Sequence, residues 1–416
     1  MSPTSLPRPP APRPPASGSP LGVPAFRALL WAQGFFGVAW SVFLILPKYL
    51  AVEFGASTAR IGWLMASASI ANVVVAPWVA RFGTRYGALG TMLLGNLIMV
   101  VGSLGYVFVD AAGAWAFTFR ILQGLAWAFM FSSAAVVAMR LAPPGRAGQA
   151  IALHGSSNLV TNAVGPALAE PLLAHYGRAA TFAGAAFMAL LGFCFTLRLR
   201  RLLPPFDPHG GEDAAPEAPA LLPRARGPGA SLARPRAVLP GALVSTAVVL
   251  GLGCGIMFVL YQPLALSRGY THVSSFLVAY TVAAVSVRLF FGRITDRIGP
   301  APVAVWSFIG YGGVVAAMAA LGPGGLLLLG ALFGLAHGVF FPAFTTLALS
   351  SVPAAARTRS MAWINGAFNA GITTTGGLGL LAEHLGFGPV FVGAGLIVSA
   401  TGIGLGLWQR RRPAQT

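Results

Sequence analysis

Between Phe26 and Trp408 the chain runs repeatedly through apolar stretches of roughly twenty residues, too long and too frequent for a water-soluble core. They fall into two sets of six. The expected spans are 26–51, 58–80, 87–109, 113–139, 149–173, 179–198, 239–264, 273–294, 301–320, 325–350, 360–384 and 388–408. A backbone crosses hydrocarbon only if its hydrogen bonds close within the segment, so each run is expected to be a spanning helix. The fold class is therefore all-α integral membrane: twelve transmembrane helices in two six-helix bundles. A polar, Arg- and Pro-rich stretch from about Arg198 to Arg236 parts the sets. The expected organisation is a disordered Pro-rich tail over 1–24, a bundle over 25–198, a linker over 199–238, a second bundle over 239–410 and a short tail over 411–416.

Charge settles which side is which. The formal charge is +18, from 27 basic and 9 acidic residues, which would suit nucleic acid if the basic residues formed one patch. Instead they sit in the short segments between apolar runs, as orientation signals do. With both termini and the linker on one side, that side holds 21 basic residues, among them Arg81, Arg85, Arg140, Arg146, Arg297, Arg357 and Arg359. The other side holds four: Lys48, Arg60, Arg178 and Arg268. The termini are thus expected in the cytoplasm. Nine prolines in residues 1–24, with no apolar stretch before Phe26, read as a cytoplasmic tail and not a signal peptide. Cys194 and Cys254 both fall in expected helices, so no disulfide, metal site or cofactor is expected.

The halves repeat. Arg81-Phe-Gly-Thr-Arg-Tyr-Gly87 answers Arg293-Ile-Thr-Asp-Arg-Ile-Gly299 at an offset of 212. Leu122-Gln-Gly-Leu-Ala126 answers Leu332-Phe-Gly-Leu-Ala336 at an offset of 210, and Gly155-Ser-Ser-Asn158 answers Gly366-Ala-Phe-Asn369. Six crossings per repeat is an even number, so the two repeats enter from the same side, one of the two ways transporters are built.

On these residues the chain resembles the major facilitator superfamily of secondary transporters, over about residues 25–410. Gly292-Arg-Ile-Thr-Asp296-Arg297-Ile-Gly299 matches that family's loop signature; in the first half Ala80 and Thr84 replace its glycine and aspartate. Arg120-Ile-Leu-Gln123-Gly124 resembles the family's fourth-helix motif, which implies a role for Arg120 in proton coupling. Gly165-Pro166-Ala-Leu-Ala-Glu170 partly resembles the fifth-helix motif of antiporters. The resemblance implies a central cavity lined by helices 1, 4, 7 and 10. Arg288 ahead of the loop motif, with Leu46-Pro47-Lys48 in the first helix, is also similar to oxalate and monocarboxylate carriers, although Ala284 stands where the latter place an acid.

Read as residues, the candidates are these. Arg120 and Arg288 are charges within the membrane, where a charge is expensive and faces a watery cavity, a partner or the interface by snorkelling. An Arg fork suits carboxylate or phosphate. Gln123 lies one turn from Arg120. His337, near the middle of the tenth helix, is either a proton carrier or a packing residue. Trp127 is its repeat-equivalent and offers a stacking face. Substrate contacts are therefore sought at Arg120, Gln123, Trp127, Arg288 and His337, and proton coupling at Arg120, Glu170 and His337. Glu170, near the outer end of the fifth helix, has Arg178 or His175 as its expected partner. Lys48 reads as an interfacial anchor. Gly292, Asp296, Arg297, Gly299 and Arg85 form the expected cytoplasmic gate.

The chain is thus expected to be a transporter, not an enzyme, moving a small organic molecule across a bacterial inner membrane by alternating access, as a monomer. The motif spacing is similar to the drug- and sugar-efflux branch, which implies export, with or without protons. An organic-anion carrier using Arg288 is the alternative within transport; a non-transporting membrane sensor is the alternative outside it.

Overall fold

The computed structural model describes residues 19–143, 146–203, 239–290, 297–353 and 356–411. The Pro-rich tail before Ser19, most of the linker and the gate residues Gly292 and Asp296 lie outside these residues.

Among the described residues, eight continuous helical stretches are long and apolar enough to cross a membrane. Two of them, Thr58–Phe108 and Gln149–Leu202, each contain two crossings joined at a glycine. The shorter apolar helix Ser274–Phe290 and a helix pair over 357–385 bring the crossings to twelve. In chain order they are α1 (Pro24–Phe54), α2 (58–86), α3 (88–105), α4 (Ala114–Arg140), α5 (147–176) and α6 (178–202), then α7 (Gly241–Ser267), α8 (Ser274–Phe290), α9 (Pro300–Ala320), α10 (Gly325–Ser350), α11 (357–385) and α12 (Phe387–Arg410).

The expected loop between the second and third spans is helical almost throughout. Apolarity ends near Ala80, but nothing in Arg81–Tyr86 breaks a helix, so α2 continues past the apolar run and turns only at Gly87. Gly87 has φ 73° and ψ 169°, a region essentially closed to residues with a Cβ. The repeat is visible here in backbone angles. Gly299, 212 residues on, has φ 92° and ψ 152°. The corner between α5 and α6, Gly177 (φ 74°, ψ −176°), is matched by Gly386 (φ 82°, ψ 165°) between α11 and α12.

Packing repeats as well. A methyl placed on Gly124 of α4 would sit 2.2 Å from the Ala68 carbonyl oxygen of α2; one on Gly334 of α10 would sit 2.2 Å from that of Tyr280 in α8. Such small residues let helix backbones approach where hydrocarbon gives no hydrophobic drive to associate. Gly37 on Thr161 joins α1 to α5, and Gly251 on the Phe368 carbonyl joins α7 to α11 in the same manner. Proline shapes several helices, α1 and α5 among them. Pro47, which cannot donate and crowds the carbonyl four residues back, follows a 3-10 turn at Phe43–Ile45 in α1. Pro166 and Pro171 interrupt the hydrogen-bond ladder of α5.

Across the seam between the halves, α2 packs on α11 and α5 on α8. With twelve crossings, the start of α1 and the end of α12 lie on one face, here the terminal face; the opposite is the far face.

Candidate functional site

The hydrogen bonds that join the halves, among the described residues, run from the far face to the middle of the bundle. Glu170 of α5 is their centre. It is 5 % exposed and takes Nζ of Lys48 at 2.5 Å. Its two oxygens also accept the Val273 N–H at 2.9 Å, the Ser274 N–H at 3.0 Å and the Ser274 hydroxyl. A carboxylate of the first half therefore caps the N-terminus of α8 in the second, where unpaired N–H groups and the helix dipole favour an anion. Lys48 donates onward to the Thr271 carbonyl. Gln262 of α7 accepts from the Lys48 N–H at 3.0 Å and donates to the Leu44 carbonyl at 2.5 Å. Glu383 of α11 accepts the Ala59 N–H at 2.8 Å. The deepest link is Asn72 to Asn369, at 3.4 Å. The seam is fastened on the far side.

Glu170 does not meet its expected partners. Arg178 donates to the Val109 carbonyl at 2.7 Å, and His175 bonds the Pro171 carbonyl. Lys48 is the partner, drawn inward to 18 % exposure.

Deeper, α1 and α4 build an aromatic wall with a cation set in it. Arg120 is 3 % exposed. One of its terminal nitrogens donates to Gln123 Oε1 at 2.7 Å, and its guanidinium carbon stands 4.9 Å from the Trp40 ring centroid. Arg120 Nε and Gln123 Nε2 are buried without a hydrogen-bond partner. From Trp40 the wall continues to Trp127 at 4.7 Å and to Phe131, stacked 5.0 Å beyond at 11°.

The second half supplies the opposing group. His337 on α10 is bonded through Nδ1 to the Tyr280 hydroxyl at 2.8 Å, and Nε2 stands 3.8 Å from Cys254 Sγ. Phe333 lies parallel to its ring at 8°. Arg288, about two turns beyond Tyr280 on α8, is half-buried. Its Nε is buried and unpaired. The arrangement thus brings Arg120, Gln123 and Trp127 together, sets Arg288 and His337 on the neighbouring helices α8 and α10, and puts Glu170 apart from both. Of the gate residues, Arg85 is exposed with its guanidinium 5.3 Å from the Tyr86 ring, Arg297 is exposed, and Gly299 forms the corner described above.

Twelve crossings in two like-built halves, fastened at one face around a seam that carries charge, are the frame of an alternating-access carrier. The sequence profile of the Major Facilitator Superfamily matches residues 29–323 and, again, 243–416. The chain belongs to that family. It is a multi-pass membrane transporter, and not an enzyme.

Among its relatives, an uncharacterized MFS-type transporter of Salmonella typhimurium is 25 % identical over 358 residues, covering 84 % of this chain and 87 % of that protein. Monocarboxylate transporter 11 of Homo sapiens is 30 % identical over 272 residues, 63 % of this chain and 53 % of that protein. A multidrug resistance protein B homolog of Mycobacterium tuberculosis is 28 % identical over 144 residues, 33 % of this chain and 25 % of that protein. Among solved structures, a peptide transporter, POT, in complex with sulfate superposes with a TM-score of 0.75 at 13 % identity, covering 96 % of each chain. A POT family transporter with a thioalcohol-conjugated peptide gives 0.70 at 14 %, covering 94 % and 96 %. At those identities the likeness is one of fold.

Residues missed by sequence reasoning are Trp40, Gln262, Ser274 and His154. Trp40 and Gln262 carried no motif. Ser274 could have been found as the first residue of an apolar helix facing a spare carboxylate.

Proposed function

We propose that this transporter carries a small organic anion through the seam between its halves. The observation that carries the reading is the pair Arg120 and Arg288: two guanidinium groups inside the membrane, each with a buried unpaired Nε and neither with a carboxylate partner among the described residues. A charge so placed is costly unless something of opposite sign visits it. The alignment with a monocarboxylate transporter supports the same chemistry. The aromatic wall of Trp40, Trp127 and Phe131 would take the cargo's apolar body.

In this scheme bodies 25–198 and 239–410 rock against each other in a bacterial inner membrane, with the termini cytoplasmic. The Lys48–Glu170–α8 junction closes the outer face, and Arg85, Gly292, Asp296, Arg297 and Gly299 close the inner one. Protons enter at Glu170: a protonated carboxyl loses its ion pair with Lys48 and loosens the outer junction. The proposed direction is export, supported by the alignment with a multidrug resistance protein.

The test is counterflow in proteoliposomes with matched acids and neutral analogues. Arg288→Gln should reduce anion flux at least about tenfold, the loss of one charge-assisted hydrogen bond. A neutral cargo moved at an unchanged rate by that variant, with no anion moved by the wild type, would overturn the reading. That outcome would support a second one, export of neutral amphipathic molecules, which the aromatic wall favours.

A further inference from the structure

Once the arginines and the far-face junction are assigned, a polar cluster inside the first half is left over. Gln33 of α1 is fully buried, and neither end of its amide has a partner among the described residues. His154 of α5 is 3 % exposed, and neither of its ring nitrogens is paired. Oδ1 of Asn158, one turn along, is unpaired as well. A buried polar atom without a partner calls for an explanation, and here five such atoms lie on two helices that pack against each other.

Helix register puts them at one level. α1 and α5 run parallel, and Gly37 meets Thr161 as Gly165 meets Ser41. The same spacing sets Gln33 level with Ser157, between His154 and Asn158. Phe131 of α4 lies against the His154 ring at 5.1 Å. The hydroxyls of Ser157 and Thr161 are turned back onto their own helix, to the carbonyls of His154 and Asn158, so they do not serve the cluster. Ser156 to Asn158 on α5 and Trp127 and Phe131 on α4, beside the cluster, are half-buried.

The same register relates the cluster to Arg288. α5 and α8 are antiparallel and joined at Glu170 and Ser274. Fourteen residues on from Ser274 is Arg288, and fourteen back from Glu170 is Ser156, each about 21 Å below the junction at ~1.5 Å per residue. The guanidinium and the cluster therefore stand at similar depth on opposite sides of the seam.

We infer that Gln33, His154 and Asn158 form a second cargo subsite, for a neutral group that both donates and accepts hydrogen bonds, such as a hydroxyl or carboxamide, on an anion held at Arg288. Only the ionic end rests on the proposed function. Amide and neutral imidazole each offer a donor and an acceptor, and no member of the trio carries a fixed charge. The carrier would then read its cargo at two points: charge from the second half, hydroxyl or amide from the first.

The test uses benzoate, 4-hydroxybenzoate and phenol, with binding read by thermal shift and flux in proteoliposomes. The wild type should bind 4-hydroxybenzoate about tenfold more tightly than benzoate, the effect of one buried hydrogen bond. His154→Phe and Gln33→Leu should bring the ratio to about one while leaving benzoate unaffected and the ligand-free melting temperature no lower. A ratio near one in the wild type, or one unmoved by both variants, overturns the subsite. A fall in melting temperature with the preference intact assigns the trio to internal structure and also overturns it. The anion reading fails separately, if Arg288→Gln binds benzoate as well as the wild type does. In that event, phenol bound by the wild type and lost in His154→Phe retains the subsite, and no response to any of the three probes overturns it.

Discussion

Nζ of Lys48 stands 2.5 Å from Oε1 of Glu170, and the same carboxylate accepts two backbone N–H groups at the start of α8. One side chain thus ties α1 to α5 within a half and α5 to α8 across the seam. The state in which the far face is closed depends on it, whereas a state open at that face must break its bonds to Val273 and Ser274.

Glu170→Gln keeps the shape and removes the charge. The far-face-closed state should lose on the order of 2 kcal/mol, less than a fully buried pair because Lys48 remains partly exposed. Val273, fully buried in this state, reports the change: a Val273→Cys thiol in a Cys194→Ser background should react at least about tenfold faster once Glu170 is Gln. An unchanged labelling rate would mean that the junction is incidental to closure.

On the proposed reading, Arg120 serves the cargo and not stability. A buried guanidinium with an unpaired nitrogen costs desolvation that a well-packed apolar chain does not. Arg120→Met should melt at the same temperature or higher and lose anion transport by more than about tenfold. A large drop in melting temperature would make the residue a structural strut between α4 and Trp40.

Tyr280→Phe removes the hydroxyl bonded to His337 Nδ1 and leaves that nitrogen without its partner. The expected cost is about 1–3 kcal/mol of stability, read by thermal unfolding in detergent. If the Tyr280–His337 contact only fixes the ring, relative preference among acids should hold. A changed preference at constant stability would place His337 in cargo contact.

The close helix crossings make a prediction about glycine. Gly124→Ala and Gly334→Ala each put a methyl within 2.2 Å of a carbonyl oxygen on the neighbouring helix, and should cost about 1–3 kcal/mol. Gly310, also helical, has open space where its Cβ would be, so Gly310→Ala should be neutral or slightly stabilising. Equal effects at all three would remove the packing explanation.

How far the sequence carried follows from the range of the interactions involved. Spanning helices are legible because lipid imposes length and apolarity on every one, and the repeat is legible because Gly87 and Gly299 answer the same backbone demand. Arg120 and Arg288 stand out because charge is scarce in hydrocarbon. The partner of Glu170 was not legible. Arg178 and His175 are near it in the chain, but Lys48 is 122 residues away and becomes its neighbour only when α1 and α5 pack in parallel. His154 was overlooked for a related reason: in sequence it is one histidine of six, and only the fold shows both its nitrogens idle.

The single-residue corners at Gly87 and Gly177 carry a mechanical consequence. A hairpin turned on one residue has no slack, so α2 cannot slide without dragging α3, nor α5 without α6. Whatever loosens Glu170 must swing a stiff bracket, and the rearrangement is that of a whole block instead of a peeling strand of helix. Splicing even one extra residue into such a corner should decouple the two arms and leave a protein that still inserts in lipid but no longer turns over.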